Sequence, residues 1–360
     1  MEPIGRFYCV DALRGIAALM IVVFHYHHFY LADAYDRAAM PPVDAFPYAG
    51  LLAPLYGPFA AKAVELFWLI SGFVFAHVYL PRQSSAWAFG VARFARLYPL
   101  HFATLIYVAV LQAISLHSVG HWQVYGNNDL RHFGLQLLMS SNWTSLSRGL
   151  SFNGPIWSVS LEMVVYAMFF LSLFIMRRGA IGVSLFLCAA CWIWVALEPV
   201  ALPLVQTGVF VCAGYFFLGC LLYALRPDAG LARAATLTIL SSCAALVGLL
   251  AGFEEVTIAG IAVAMVSIAA GADRVAPAWG VRLSALGDIS YSVYLVHVPL
   301  QMTALLVADL AFDGSREFAN SYLTLPIYFI VSVVTAFAAH RWLERPAGQA
   351  IRAFLLRRGA

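Results

Sequence analysis

Residues 11–28 read DALRGIAALMIVVFHYHH, a stretch apolar enough to cross a bilayer that nevertheless carries Asp11, Arg14 and His25. An ionisable group at the centre of a span costs at least about 2.5–3.5 kcal/mol on insertion scales, so each of these residues is a functional candidate by default. Arg14 and His25 lie eleven positions apart. At about 100° per residue this is three turns plus about 20°, which sets both on one helix face about 16 Å apart. Asp11 precedes Arg14 by three and can pair with it. Arg14 then sits near one end of the span and His25 at or beyond its middle, with His27 and His28 continuing outward. The bland alternative has Arg14 snorkelling to headgroups and His25 making a satisfied interhelical hydrogen bond; the shared face weighs against it. Only His25 and His28 have helical ligand spacing, and no cysteine or carboxylate joins them, so no metal is expected.

Other segments carry polar groups in equally unexpected places. ELFWLISGFVFAHVY sets Ser71 and Gly72 mid-span, where small residues let helices approach closely. In ARFARLYP, Arg93 and Arg96 share a face just before Pro99, which is expected to open the next span. Two readings stand for this pair: ordinary basic topology, or two guanidinium forks suited to phosphate groups. GPIWSVSLEMVVY places Ser158, Glu162 and Tyr166 at steps of four, and a buried glutamate needs a partner or a proton. DISYSVYLVHVPLQ repeats the pattern with Ser290, Tyr294, His297 and Gln301. One polar stripe can be interhelical glue; three on separate helices imply a shared hydrated cavity.

The elements that must position these groups follow from composition. The chain has 360 residues, 62% hydrophobic and 11% charged, with a mean hydropathy of +0.83. Soluble domains average about 45–50% apolar and about 25% charged residues, so lipid is the expected solvent. Apolar stretches of spanning length fall near 11–31, 62–80, 98–116, 155–176, 180–198, 206–225, 232–252, 256–272, 286–308 and 322–342. The expected fold is therefore all-α and polytopic, with about ten transmembrane helices around a polar cavity, in a single domain over 1–360. With the N-terminus inside, fifteen Arg residues fall on the cytoplasmic side and five basic residues (Arg37, Lys62, Arg131, Arg148, Arg316) opposite, which makes both termini cytoplasmic. A signal-peptide reading of residues 16–24, with Ala32-Asp33-Ala34 as the cleavage site, is disfavoured by the nearby Asp11 and Arg14 and by Glu2. None of the six cysteines lies in an outer loop, so no disulfide framework is expected, and Cys188 and Cys191 read as helix packing. A net charge of +3 and the lack of basic runs with interleaved aromatics argue against nucleic acid, and no phosphate-binding glycine loop occurs.

DALRGIAALMIVVFH, LFWLISGFVFA, the R-x-x-R-x-Y-P of residues 93–99, IWSVSLEMVVY, ISYSVYLVHVPL and the closing RWLERPAG together resemble the membrane-bound acyltransferase family 3. They occur in the expected order over nearly the whole chain, in the stand-alone form without an esterase-like periplasmic extension. The resemblance implies a multi-pass enzyme of the bacterial inner (cytoplasmic) membrane. It implies transfer of an acyl group, most often acetyl, from cytoplasmic acyl-CoA to a hydroxyl of an O-antigen, exopolysaccharide or lipid-linked sugar. On that reading acetyl-CoA is a donor substrate rather than a tightly held cofactor. Arg14, Arg93 and Arg96 would hold the donor, and His25 would act as general base, with a pKa near 6.5 suited to the task. Glu162 would orient the acceptor, share a proton or balance Arg14. Asp11, Ser71, Ser158, Tyr294 and His297 are second-rank positions. Besides donor and acceptor, membrane lipids are expected partners, and homo-oligomers are compatible with the sequence. The rival from another class is a proton-coupled transporter using Arg, Glu and His as a relay; against it, no paired interruption of spans marks two inverted halves.

Overall fold

A computed structural model describes residues 5–35, 40–144, 149–197 and 205–358. Glu2, Arg37 and Arg148, used in the sequence-based expectations, lie outside the described residues. The helices in chain order are α1 Tyr8–Phe24, α2 Ala49–Tyr56, α3 Pro58–Ala61, α4 Ala63–Tyr79, α5 Ala86–Val119, α6 Leu130–Leu137 and α7 Ile156–Met176. They are followed by α8 Ala180–Leu197, α9 Thr207–Ala224, α10 Leu231–Ala251, α11 Glu254–Val275, α12 Pro277–Ala311, α13 Thr324–Ala339 and α14 Arg345–Arg358. Among the described residues ten helical segments are long and apolar enough to cross a membrane, and they match the ten expected stretches in order. The protein is an all-α polytopic membrane protein. Leu171, Phe186, Leu240 and Leu249 stand largely exposed, as side chains do when the solvent is hydrocarbon.

The chain divides into two compact units. The first takes residues 1–17, 62–84 and 161–288, and the second takes 18–61, 85–160 and 289–360. In the first, α4 meets α9 backbone to backbone. A Cβ added at Gly72 would lie 1.8 Å from the Phe216 carbonyl oxygen, and one at Gly219 would lie 2.0 Å from that of Leu69. Where the surrounding lipid is as apolar as leucine, such close approach is what drives helix association. Phe75 packs beside this contact, stacked on Tyr166 at 4.4 Å and edge-on to Phe216. In the second unit the core gathers Leu31, Leu105, Val108, Tyr125, Val298 and Met302. Asp129 caps α6 by accepting the His132 backbone N–H at 2.8 Å. That bond, with a second from the His132 ring, holds the Asp129 carboxyl below the usual carboxylate range.

Three boundaries differ from the sequence-based expectation. First, α5 begins at Ala86 and runs through Pro99 instead of starting there. A proline inside a helix leaves the carbonyl four residues back without its donor. Here that is Ala95, and Gly348 comes so close to it that an added Cβ would sit 2.4 Å from the oxygen. Second, α1 stops at Phe24, and His25–Tyr30 forms a 3₁₀ turn, so the α-helical spacing assumed for His25 and His28 does not apply. Third, the closing RWLERPAG does not end the last helix. His340–Glu344 forms a π turn and the chain continues as α14.

Candidate active site

His25 stands at the α-to-3₁₀ junction with Nδ1 2.9 Å from the Ile21 carbonyl oxygen and 3.3 Å from Nε2 of His297. A carbonyl oxygen only accepts, so His25 Nδ1 must carry the hydrogen. The His297 ring obeys the same constraint. Its Nδ1 faces the Val293 carbonyl at 3.1 Å, which makes its Nε2 an acceptor toward the His25 N–H. Both rings are thereby held as Nδ1–H tautomers, and the basic lone pair of His25 resides on Nε2. Gln301, fully buried, clasps the junction from α12. Its Nε2 donates to the His25 carbonyl oxygen at 2.7 Å, and its Oε1 lies 3.1 Å from the His28 ring. Ser158 and Tyr294 pair through their hydroxyls at 2.8 Å on neighbouring positions of the same unit. Ser290, the fourth member of the α12 stripe, is buried with them.

Pro299 shapes this stretch of α12. It frees the Leu295 carbonyl, which accepts instead from Asn153 Nδ2 at 2.9 Å. The polar stripe on α12 is thus held in phase by an asparagine from the segment leading into α7.

The remaining sequence candidates fall into three other clusters, two in the first unit and one in the second. In the first unit, Arg14 donates to the Gly287 carbonyl at 2.8 Å and pairs with Asp11 at 3.2 Å, as the three-residue spacing suggests. Arg6 bridges Asp11 and Asp288. Glu162 accepts from the Tyr166 hydroxyl at 2.9 Å, and that hydroxyl lies 3.3 Å from Ser71 Oγ. Glu162 and Ser71 therefore belong to one hydrogen-bonded chain through Tyr166. In the second unit, Arg96 forms an ion pair with the buried Glu344 and lies over the Tyr291 ring. Ser292 also donates to Glu344. Arg93, one turn earlier on α5, is partly buried. Three participants were absent from the sequence-derived candidates: Gln301, His28 and Glu344. Gln301 stood in the α12 stripe, a usable signal; His28 was hidden by the unforeseen 3₁₀ turn, and Glu344 by its distance along the chain.

Similarity to known proteins identifies the family of the chain. A family model described as an acyltransferase domain matches residues 7–341, which takes in every residue of these clusters except Arg6 and Glu344. The chain belongs to acyltransferase family 3. Two curated relatives are similar to parts of the chain. Protein 2 in the picA locus of Rhizobium radiobacter is 31% identical over 184 residues, 47% of this chain and 83% of that protein. Acyltransferase MdmB of Streptomyces mycarofaciens is 30% identical over 146 residues, 40% of this chain and 35% of its own. No solved structure matches.

Proposed function

We propose that this acyltransferase moves an acyl group, acetyl in the simplest case, from acyl-CoA to a hydroxyl of a cell-envelope glycan or lipid-linked sugar. The membrane would be a bacterial inner membrane, with both chain termini cytoplasmic. The observation that carries the reading is the hydrogen-bonded state of His25: Nδ1–H is committed to Ile21 and His297, so Nε2 is the basic atom.

In the step this supports, His25 Nε2 takes the acceptor hydroxyl proton as the hydroxyl oxygen attacks the thioester carbonyl. The carbon–sulfur bond then breaks, and the departing CoA sulfur recovers the proton from Nε2. Throughout, the Nδ1–H keeps two acceptors, the Ile21 carbonyl and the His297 ring, which favour the imidazolium that forms. Arg14, steadied by Asp11, and Arg93 with Arg96 supply positive charge for the phosphates of the donor. Arg96 would do so while paired to Glu344. Glu162, with Tyr166 and Ser71, and the Ser158–Tyr294 pair are positions for holding the acceptor. A covalent acyl group on His25 would use the same Nε2 lone pair; rapid quenching and peptide mass analysis distinguishes that route from direct transfer.

The test is mass analysis of surface glycans from cells with the protein, without it, and with His25→Ala. Acetyl increments should depend on the protein and fall by about 10²–10⁴ in the variant, the usual contribution of a general base, while the variant still inserts. Near-normal transfer by His25→Ala would overturn the assigned role. Movement of solute across vesicles without acyl-CoA would favour the carrier instead.

A further inference from the structure

In the first unit a cavity of about 780 Å³ opens between α8, α9, α10 and α11. Its walls are apolar, with Trp192, Val195, Leu237, Leu240, Ala244 and Val263 among them. Only one end is charged, where Glu254 and Glu255 begin α11. That end is a tight turn closed by Gly252 in the left-handed region (φ 75°). The wall reaches from there back to Leu237, fifteen residues along α10, or about 22 Å at 1.5 Å per residue. Along α11 it reaches Val263, nine residues or about 14 Å away. These lengths bracket the depth of one leaflet, about 15 Å or half of a hydrocarbon core about 30 Å thick. The carboxylates therefore stand where a tail lying in the groove would present its headgroup.

The charge at the mouth selects the headgroup. Lys62 reaches Glu254 at 3.0 Å and both Glu65 and Glu255 at 3.6 Å. Glu255 also accepts from the Tyr215 hydroxyl at 2.8 Å. One ammonium set against three carboxylates leaves negative charge in excess, and Glu254 keeps 69% of its side chain exposed. A second cation completes the balance, whereas an anionic headgroup is repelled. We propose that this groove binds one tail of an aminophospholipid, with the lipid ammonium received by Glu254 and Glu255. None of the groove's lining residues is among those assigned to acyl transfer, and the proposal is independent of that reaction.

The full-length protein, stripped of lipid in mild detergent, is offered equal amounts of phosphatidylethanolamine and phosphatidylglycerol and weighed intact by native mass spectrometry. Phosphatidylethanolamine should be retained about tenfold over phosphatidylglycerol, the scale expected for carboxylates acting near a headgroup. Glu254→Gln with Glu255→Gln should bring that ratio to about one without abolishing lipid adducts. Ala244→Phe, a substitution at an exposed position on the groove wall, should reduce adducts of both lipids about tenfold by filling the space. Equal retention of the two lipids by the unaltered protein overturns the headgroup assignment, and unchanged adducts in Ala244→Phe overturn the site. A dimer mass in place of lipid adducts assigns the groove to a second copy of the chain and overturns the proposal.

Discussion

At the scale of single residues, the tautomer of His25 is fixed by oxygens that can only accept, and Gln301 fixes the backbone that carries the ring. Gln301→Leu removes the donor to the His25 carbonyl and the acceptor facing His28, leaving buried polar groups unpaired at about 1–3 kcal/mol. Steady-state transfer in reconstituted vesicles should show turnover falling about tenfold, with the KM for acyl-CoA little changed. Arg93→Ala should do the reverse. It leaves the Arg96–Glu344 pair in place and removes one charged hydrogen-bonding group, worth about 1.5–3 kcal/mol, so the KM for the donor should rise about tenfold or more in the same assay. Much of this was legible in the sequence, because Tyr294, His297 and Gln301 advance by three and four along one helix face. The role of His28 was not, since residue spacing on an α-helix says nothing once the chain tightens to a 3₁₀ turn at His25. The partner of Arg96 was equally hidden, because periodicity within one helix carries no information about a glutamate on another.

At the scale of elements, the interior prolines of the two longest helices, α5 and α12, each free a carbonyl that a distant residue meets. Pro99 frees the Ala95 carbonyl against which Gly348 packs, and Pro299 frees the Leu295 carbonyl that Asn153 takes. The sequence suggested that Pro99 should start a helix, and at a first turn the missing N–H would have cost nothing. What local propensity misses is that a distant side chain can replace the lost bond, as Asn153 does at Leu295, and that a distant glycine can pack against a freed carbonyl, as Gly348 does at Ala95. Asn153→Leu should therefore destabilise the protein by about 1–3 kcal/mol, the cost of stranding a buried carbonyl. Adding Pro299→Ala should recover most of that loss, since the new backbone N–H can reach Leu295 itself. Thermal unfolding in detergent with both single variants and the double variant measures the coupling; additive losses would contradict the account.

At the scale of the whole molecule, lipid is the solvent, and the ten spans could be counted from composition alone because hydrocarbon tolerates no long polar interruption. Which residues pair across spans could not be counted that way, since apolar runs specify length and not neighbours. The Arg bias between alternate loops makes a prediction about orientation that is open to direct measurement. Leu130→Cys, at the strongly exposed first position of α6, should react with a membrane-impermeant maleimide in intact cells. Gln83→Cys, in the exposed turn between α4 and α5, should react only after permeabilisation. The opposite pattern would place the termini outside and remove the donor arginines from the side where acyl-CoA is made.

The π turn at His340–Glu344 closes its hydrogen bonds over five residues where an α-helix uses four. It is in effect one residue of slack written into the chain, and it sets the rotational phase of everything after it. Deleting a single residue there would let the helix run on regularly with α14 near its present phase, because four α-helical residues turn the chain about as far as five π-helical ones. Closing the turn to α geometry with no residue removed would instead rotate α14 by about 100° and swing Gly348 away from Ala95. Insertions and deletions in this short stretch would therefore behave as changes of angle, and shortening by one residue should be tolerated better than lengthening by one.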